Sequence, residues 1–143
     1  MRFTRYIQLA LLMSQLSPAL ALADLPGVRV VVSGLSPATG TVEISLFNSA
    51  ESFMVEPHLQ QSGTAGEDGS FETEFVSLPD GEYAVVVVHD ANDNGKLDSG
   101  FLGFGGEGYG FSNKAQSWFG WPEFEDARML VDQPATLVEI DLD

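Results

Sequence analysis

The sequence contains no cysteine and only two histidines, His58 and His89. Without cysteine the chain can form no disulfide, offers no thiol nucleophile and has no thiol to which a lipid could be attached. The two histidines do not form the His-x-x-x-His pair that is typical of zinc sites. The fold must therefore be held by its own apolar core, with a bound metal as the one additional cross-link that the composition allows.

Basic residues are also scarce. Six lysines and arginines stand against 21 aspartates and glutamates, which gives a formal charge of −15. Proteins that bind nucleic acids or anionic membrane surfaces use clustered Lys and Arg side chains to contact phosphate. The charge therefore argues against both partners and favours cations, although acidic side chains also keep an exported protein soluble.

Long hydrophobic runs are absent, apart from a short stretch near the start of the chain. Arg2 and Arg5 precede the apolar residues 7–16, and Ala21-Leu22-Ala23 has the small residues of a cleavage site. We predict a signal peptide over residues 1–23, too short to span a bilayer, and no later membrane span. The mature domain, residues 24–143, would be exported to the periplasm or the extracellular medium with four basic residues against 21 acidic ones, a formal charge of −17.

The mature chain is dominated by strand patterns. In Thr41 to Phe47, for example, Val42, Ile44 and Leu46 fall on one face. The pairs Asp68-Gly69 and Asp80-Gly81 are turn signals between such segments. We predict a single antiparallel β-sandwich of about seven strands, with strands over residues 28–33, 41–47, 59–65, 71–76, 82–89, 127–131 and 135–142.

A long excursion, residues 92–126, shows no strand pattern. It contains eight glycines and eight aromatic residues, a composition unlike that of a disordered linker. We expect an ordered segment that folds over one end or face of the sandwich. Its aromatic residues either form a satellite core, or Tyr109, Trp118 and Trp121 form an exposed platform on which a sugar or another ligand stacks.

A calcium-loop pattern lies where the fifth predicted strand ends. Oxygen-bearing side chains alternate at Asp90, Asn92 and Asn94, and Gly95 follows at the position of the sharp bend. The carbonyl of Lys96 is the next expected oxygen donor. This spacing is that of an EF-hand loop, but the preceding β-branched residues predict a strand in place of the EF-hand helix.

The end of this loop departs from the EF-hand pattern. Asp98 falls at position nine, and Phe101 occupies position twelve, where a bidentate glutamate is usual. We therefore expect the missing carboxylate to come from elsewhere, with Glu107, Glu125 and Asp126 as the candidates. The alternative is a metal-free turn, because Asp, Asn and Gly all favour turns. Our predicted calcium ligands are Asp90, Asn92, Asn94, Lys96, Asp98 and Glu107.

Signals for catalysis are sparse, and we assign no catalytic residue. His89 is next to Asp90, whose carboxylate could orient it as a general base. A histidine at the end of a buried strand, however, more often forms a local hydrogen bond. Carboxylate pairs such as Glu123 and Glu125 suit a glycosidase, yet pairs are expected by chance in so acidic a chain.

Several segments, taken in order, resemble one family. They are residues 47–53 (FNSAESF), 78–84 (LPDGEYA), 89–98 (HDANDNGKLD), 108–113 (GYGFSN) and 124–127 (FEDA). Together they are similar to the secreted bacterial family known only as domain of unknown function 2141. The segment 78–88 also resembles a strand entry of transthyretin-like and Cna-B-like sandwiches, which implies that type of fold by analogy.

The sequence thus predicts an exported, acidic, calcium-binding β-sandwich with a binding or structural role. A glycan or another component of the cell envelope is the expected partner. The alternative is a glycan-acting hydrolase that uses carboxylates, or a carbohydrate-binding module that uses the aromatic excursion.

Overall fold

The computed structural model describes residues 26–98 and 107–143. The predicted signal peptide, Phe101 and Phe104 lie outside the described residues. The described chain forms eight strands and very little helix: β1 (Val28–Ser33), β2 (Thr41–Phe47), β3 (Leu59–Thr64), β4 (Phe71–Phe75), β5 (Gly81–Asp90), β6 (Tyr109–Phe111), β7 (Met129–Val131) and β8 (Thr136–Asp141), with a 3-10 turn (Ser112–Lys114) and one helical turn, α1 (Phe124–Ala127).

The strands form two sheets, which confirms the predicted β-sandwich. One sheet has the order β4-β1-β8, and the other has the order β3-β2-β5-β6, with β7 also paired to β5. All pairings are antiparallel except that of β1 with β8, which is parallel. The prediction of a purely antiparallel sandwich is wrong at this one pair, because the first and last strands run the same way.

The main core lies between the two sheets. Its side chains come from alternate positions of the strands, as the period of two requires. On β5, Tyr83, Val85 and Val87 point into this core, and they pack with residues such as Val30 and Ile44. These five side chains are at most 3 % exposed, so the sheets are held together by apolar burial.

A second apolar layer covers the outer face of β5. The intervening residues Ala84 and Val86 point away from the main core and are also buried. They are covered by apolar residues from the end of β2, the connection between β2 and β3, the end of β6 and α1: Phe47, Phe53, Phe111, Phe124 and Ala127. Because β5 is buried on both faces, its sequence from Tyr83 to Val87 is continuously apolar rather than alternating.

The prediction that residues 92–126 contain no strand is wrong. Tyr109 to Phe111 form β6, whose partners are Val86, Val87 and Val88 of β5. A three-residue strand with a central glycine is too short for periodicity to detect, and its pairing is provided by β5. The described residues 107–126 fold over the sandwich as expected, since Phe111 and Phe124 belong to the second apolar layer.

One buried serine links β5 to α1. Ser112 is fully buried in the gap between β6 and β7. Its hydroxyl accepts a hydrogen bond from the backbone N–H of Val85 at 2.8 Å and donates one to the carbonyl of Ala127 at 2.6 Å. The hydroxyl therefore satisfies backbone groups that neither short strand reaches.

Candidate metal centre

The predicted calcium loop leaves the sheet at the end of β5. Its first residue, Asp90, pairs with Thr41 at the start of β2. Gly40 precedes that pair with a φ of +80°, and a β-carbon there would lie 2.1 Å from the carbonyl oxygen of Asp90. The base of the loop thus requires glycine at position 40, both for the backbone angle and for the close approach.

The Asp90 carboxylate organises the first half of the loop. One of its oxygens accepts a hydrogen bond from the N–H of Asn94 at 3.1 Å, and the other accepts one from Gly95 at 2.7 Å. The backbone turns at this point through positive φ angles at Asp93 (58°) and Gly95 (73°). The sharp bend expected at Gly95 is therefore present.

The side chains of Asn92, Asn94 and Asp98 converge. The amide nitrogens of Asn92 and Asn94 lie 2.8 and 2.6 Å from the same oxygen of Asp98. Their amide oxygens accept hydrogen bonds from the N–H groups of Asn94 and Lys96 at 3.1 and 2.9 Å. Four of the predicted donor residues, Asp90 included, thus form one connected network.

Glu107 closes the loop from outside it. Its carboxylate accepts hydrogen bonds from the N–H groups of Ala91 and Asp98, both at 2.9 Å, and its own N–H donates to the carbonyl of Asp98 at 2.9 Å. The structure therefore brings Glu107 to the loop. The other two candidates, Glu125 and Asp126, lie in α1. Ser112 links this helical turn to the middle of β5, whereas the loop begins at the end of β5.

The loop carries ionised carboxylate at neutral pH. Partial desolvation raises the pKa of the Asp90 carboxyl, but backbone hydrogen bonds from Gly95, Asn94 and Asp93 outweigh it and hold this pKa below its usual value. Asp90 is thus charged and oriented before any cation arrives.

The donor set contains few charged groups. Over residues 26–98 and 107–143, no group of three or more Asp, Glu, His or Cys side chains is arranged to hold a metal ion. The loop instead combines the carboxylates of Asp90 and Asp98 with the amides of Asn92 and Asn94. Such oxygen donors suit calcium, and they do not suit zinc, which prefers nitrogen and sulfur.

His89 lies beneath the loop and is 1 % exposed. Its Nε2 atom is 2.7 Å from the carbonyl oxygen of Thr39, so the ring has a local hydrogen-bond partner. This arrangement supports the interpretation of His89 as a buried residue that fixes the start of β2 relative to β5, in preference to a general base.

Two threonines at and just before the start of β2 also contribute to this site, and the sequence did not predict them. The hydroxyl of Thr41 donates a hydrogen bond to Asp93 at 2.7 Å, and that of Thr39 donates one to the carbonyl of Ala91 at 3.2 Å. The only signal for these contacts is the register of β2 against β5, which cannot be read from either segment alone.

The predicted aromatic platform is only partly assembled. The rings of Tyr109 and Trp121 lie 4.8 Å apart, edge to face, and each residue is about half exposed. Trp118 does not join them in lining the adjacent cleft, and it is 97 % exposed. Phe111 and Phe124 belong to the second apolar layer, so the excursion contains both a satellite core and an exposed aromatic pair.

Comparisons with known proteins agree with the resemblance read from the sequence. A family model described as "Uncharacterized protein conserved in bacteria (DUF2141)" matches residues 30–139. No curated protein and no solved structure matches the chain. In the part of the chain that the structure describes, no helix has the length and apolarity needed to cross a membrane.

Proposed function

The chain belongs to the DUF2141 family, whose description names no activity, and from its geometry we propose that it is an exported β-sandwich module that binds calcium through the loop from Asp90 to Asp98. The observation that supports this most strongly is the convergence of Asn92 and Asn94 on Asp98 beside an Asp90 carboxylate that is already oriented. A binding or structural role follows from it.

The residues present fit a calcium ion. Asp90, Asn92, Asn94 and Asp98 are the side chains that would hold it, and the carbonyl of Lys96 would add a fifth oxygen. In this structure the amide nitrogens of Asn92 and Asn94 point toward Asp98. To bind calcium, both amide groups would rotate so that their oxygens face the cation. Glu107 would hold the loop closed through Ala91 and Asp98, or supply a carboxylate oxygen directly.

We expect weak binding. Among the predicted ligands within the loop only Asp90 and Asp98 carry charge, and calcium binds more weakly when fewer of its ligands are charged. The dissociation constant should be roughly 10⁻⁴ to 10⁻³ M, which is typical of extracellular calcium modules.

The hydrolase alternative has less support. A glycosidase needs a carboxyl group whose pKa is raised, so that it can donate a proton at working pH. At Asp68 and Asp90 the pKa of the carboxyl group shifts downward, because hydrogen bonds outweigh desolvation, so neither of these two residues is suited to that role. That direction favours a binding module over an acid catalyst.

Export is part of the proposal. The positive start, the short apolar stretch and the small residues before Asp24 support a cleaved signal peptide, and the acidic mature chain suits a dissolved state in the periplasm or medium. N-terminal sequencing of protein recovered from those compartments should begin at Asp24. A sequence that begins at Met1 would contradict cleavage.

Calcium removal should loosen the loop before it affects the sandwich. The strands bury their apolar faces without a metal, whereas the loop is exposed and depends on local hydrogen bonds. Hydrogen exchange with and without a chelator should therefore show faster exchange in peptides covering residues 90–98 and 107–111, and no change in β1, β4 and β8. Equal exchange in both conditions throughout the chain would contradict the calcium assignment.

A further inference from the structure

A second candidate site lies away from the calcium loop, in a cleft of about 790 Å³ between β6 and the end of β8. Its lining includes the aromatic side chains of Tyr109 and Trp121 and the carboxylates of Glu139 and Asp141 on β8. We propose that this cleft binds carbohydrate, with a sugar ring stacked on Trp121 and its hydroxyl groups hydrogen-bonded to the surrounding polar side chains.

The aromatic pair is held in place while its surface stays open. Trp121 packs edge to face on Tyr109 at 4.8 Å and contacts Phe111 at 5.9 Å, and Phe111 is itself buried in the second apolar layer. Trp121 is nevertheless 47 % exposed. A rigid, half-exposed indole offers its face to the C–H groups on one side of a sugar ring at little cost in side-chain entropy.

The strands β6 and β8 are fixed relative to each other. A β-carbon on Gly110 would lie 2.4 Å from Cγ2 of Ile140, so β6 passes close over β8 and only glycine fits there. Ile140 is 4 % exposed and anchored in the main core. The cleft is therefore preformed, as binding sites for small molecules usually are.

The polar groups suit hydroxyl ligands. Carboxylates of Glu139 and Asp141 accept hydrogen bonds, whereas Lys114 donates them and Gln116 does both; all four side chains line the cleft and are exposed. An apolar face beside convergent donors and acceptors matches the two surfaces of a sugar, one of C–H groups and one of O–H groups.

The charge of the cleft selects among sugars. Glu139, Asp141 and Asp143 face it, and Lys114 is the one basic side chain among its lining residues. Like charges within a Debye length repel, so uronic or sulfated sugars should bind poorly. Neutral sugars and amino sugars are the expected class.

Trp118 provides a matched control for a test of this site. It is the other tryptophan of the chain, lies three positions before Trp121, does not line the cleft and is 97 % exposed. Trp118→Ala therefore removes the same side chain from the same segment without altering the cleft. Trp121→Phe retains an aromatic face and shows whether a loss in Trp121→Ala reflects stacking or misfolding.

The experiment is titration of the mature protein with neutral chito- and cello-oligosaccharides, with oligogalacturonate and oligolysine as charged comparisons. We expect a neutral oligosaccharide to bind, Trp121→Ala to weaken it about tenfold or more, and Trp118→Ala and Trp121→Phe to retain most of the affinity. Binding should be weaker or absent for oligogalacturonate.

Three results would overturn the proposal: no binding of any neutral oligosaccharide at millimolar concentration, equal losses in Trp118→Ala and Trp121→Ala, or binding of oligolysine alone. The last result would identify the acidic β8 edge as a site for basic peptides. Calcium titration of the same samples is a separate measurement, so failure of the sugar site leaves the calcium assignment unaffected.

Discussion

Asp90→Asn is expected to abolish the stabilisation of the protein by calcium. At a calcium concentration tenfold above the dissociation constant, binding to the native state alone should add about 1.4 kcal/mol to the free energy of unfolding of the unaltered protein. The variant loses the charge of the first predicted ligand, and only one of its two side-chain atoms can still accept the hydrogen bonds that the two Asp90 oxygens receive from the N–H groups of Asn94 and Gly95. Thermal unfolding with and without calcium measures both effects.

Asp68→Asn is the matched control for that experiment. Asp68 is exposed, and its pKa is lowered like that of Asp90, because its carboxylate accepts hydrogen bonds from the hydroxyl and N–H of Ser70. It lies in the turn between β3 and β4 rather than in the calcium loop. The control should keep the full response to calcium. If both variants keep that response, the ion binds elsewhere; if both lose it, the effect is one of general charge.

Phe53→Ala should produce a large loss of stability although Phe53 lies outside the main core. Phe53 is 9 % exposed, and its ring centroid lies 5.3 Å from that of Phe47 and 5.9 Å from that of Phe124. Removing a buried phenylalanine leaves a cavity and typically costs 3–5 kcal/mol; we expect about 3 kcal/mol because Phe53 keeps some exposure to solvent. The melting temperature should fall by roughly 10–15 °C.

Phe119→Ala provides the comparison for Phe53→Ala. Phe119 is 93 % exposed, so its truncation should change the free energy of unfolding by no more than about 0.5 kcal/mol. Urea denaturation of the three proteins measures the differences directly. Equal stability of Phe53→Ala and the unaltered protein would show that the second apolar layer does not contribute to the fold.

The sequence was informative where a strand has one buried face. Val42, Ile44 and Leu46 alternate with polar residues, and this alternation located β2 as the structure has it. β5 was recognisable for a different reason, its continuous β-branched run, which reflects burial on both faces. Both patterns are local, so neither depends on knowing the fold.

Features that depend on non-local pairing were not predictable in this way. β6 consists of Tyr109, Gly110 and Phe111, and it is a strand because Val86 to Val88 offer it a free edge. Phe53 lies in a turn region without periodicity, yet it is central to the second apolar layer. Contacts with residues distant in the sequence determine both features, and a short stretch of sequence does not show such contacts.

The candidate metal site shows the same division. The spacing of Asp90, Asn92, Asn94 and Gly95 is a local pattern, and the structure assembles it as a compact turn. The sequence could not choose among Glu107, Glu125 and Asp126, because that choice depends on where β6 begins. The sequence could not show that Trp118 lies outside the cleft either, because its position depends on the path of the chain between Lys114 and Trp121.

Isothermal titration of chelator-stripped protein with calcium tests the central claim most directly. We predict one site per chain with a dissociation constant of roughly 10⁻⁴ to 10⁻³ M, and no measurable heat of binding for Asp90→Asn under the same conditions. Micromolar binding of zinc without any response to calcium, or no heat with calcium at millimolar concentration, would contradict the assignment of the loop from Asp90 to Asp98 as a calcium site.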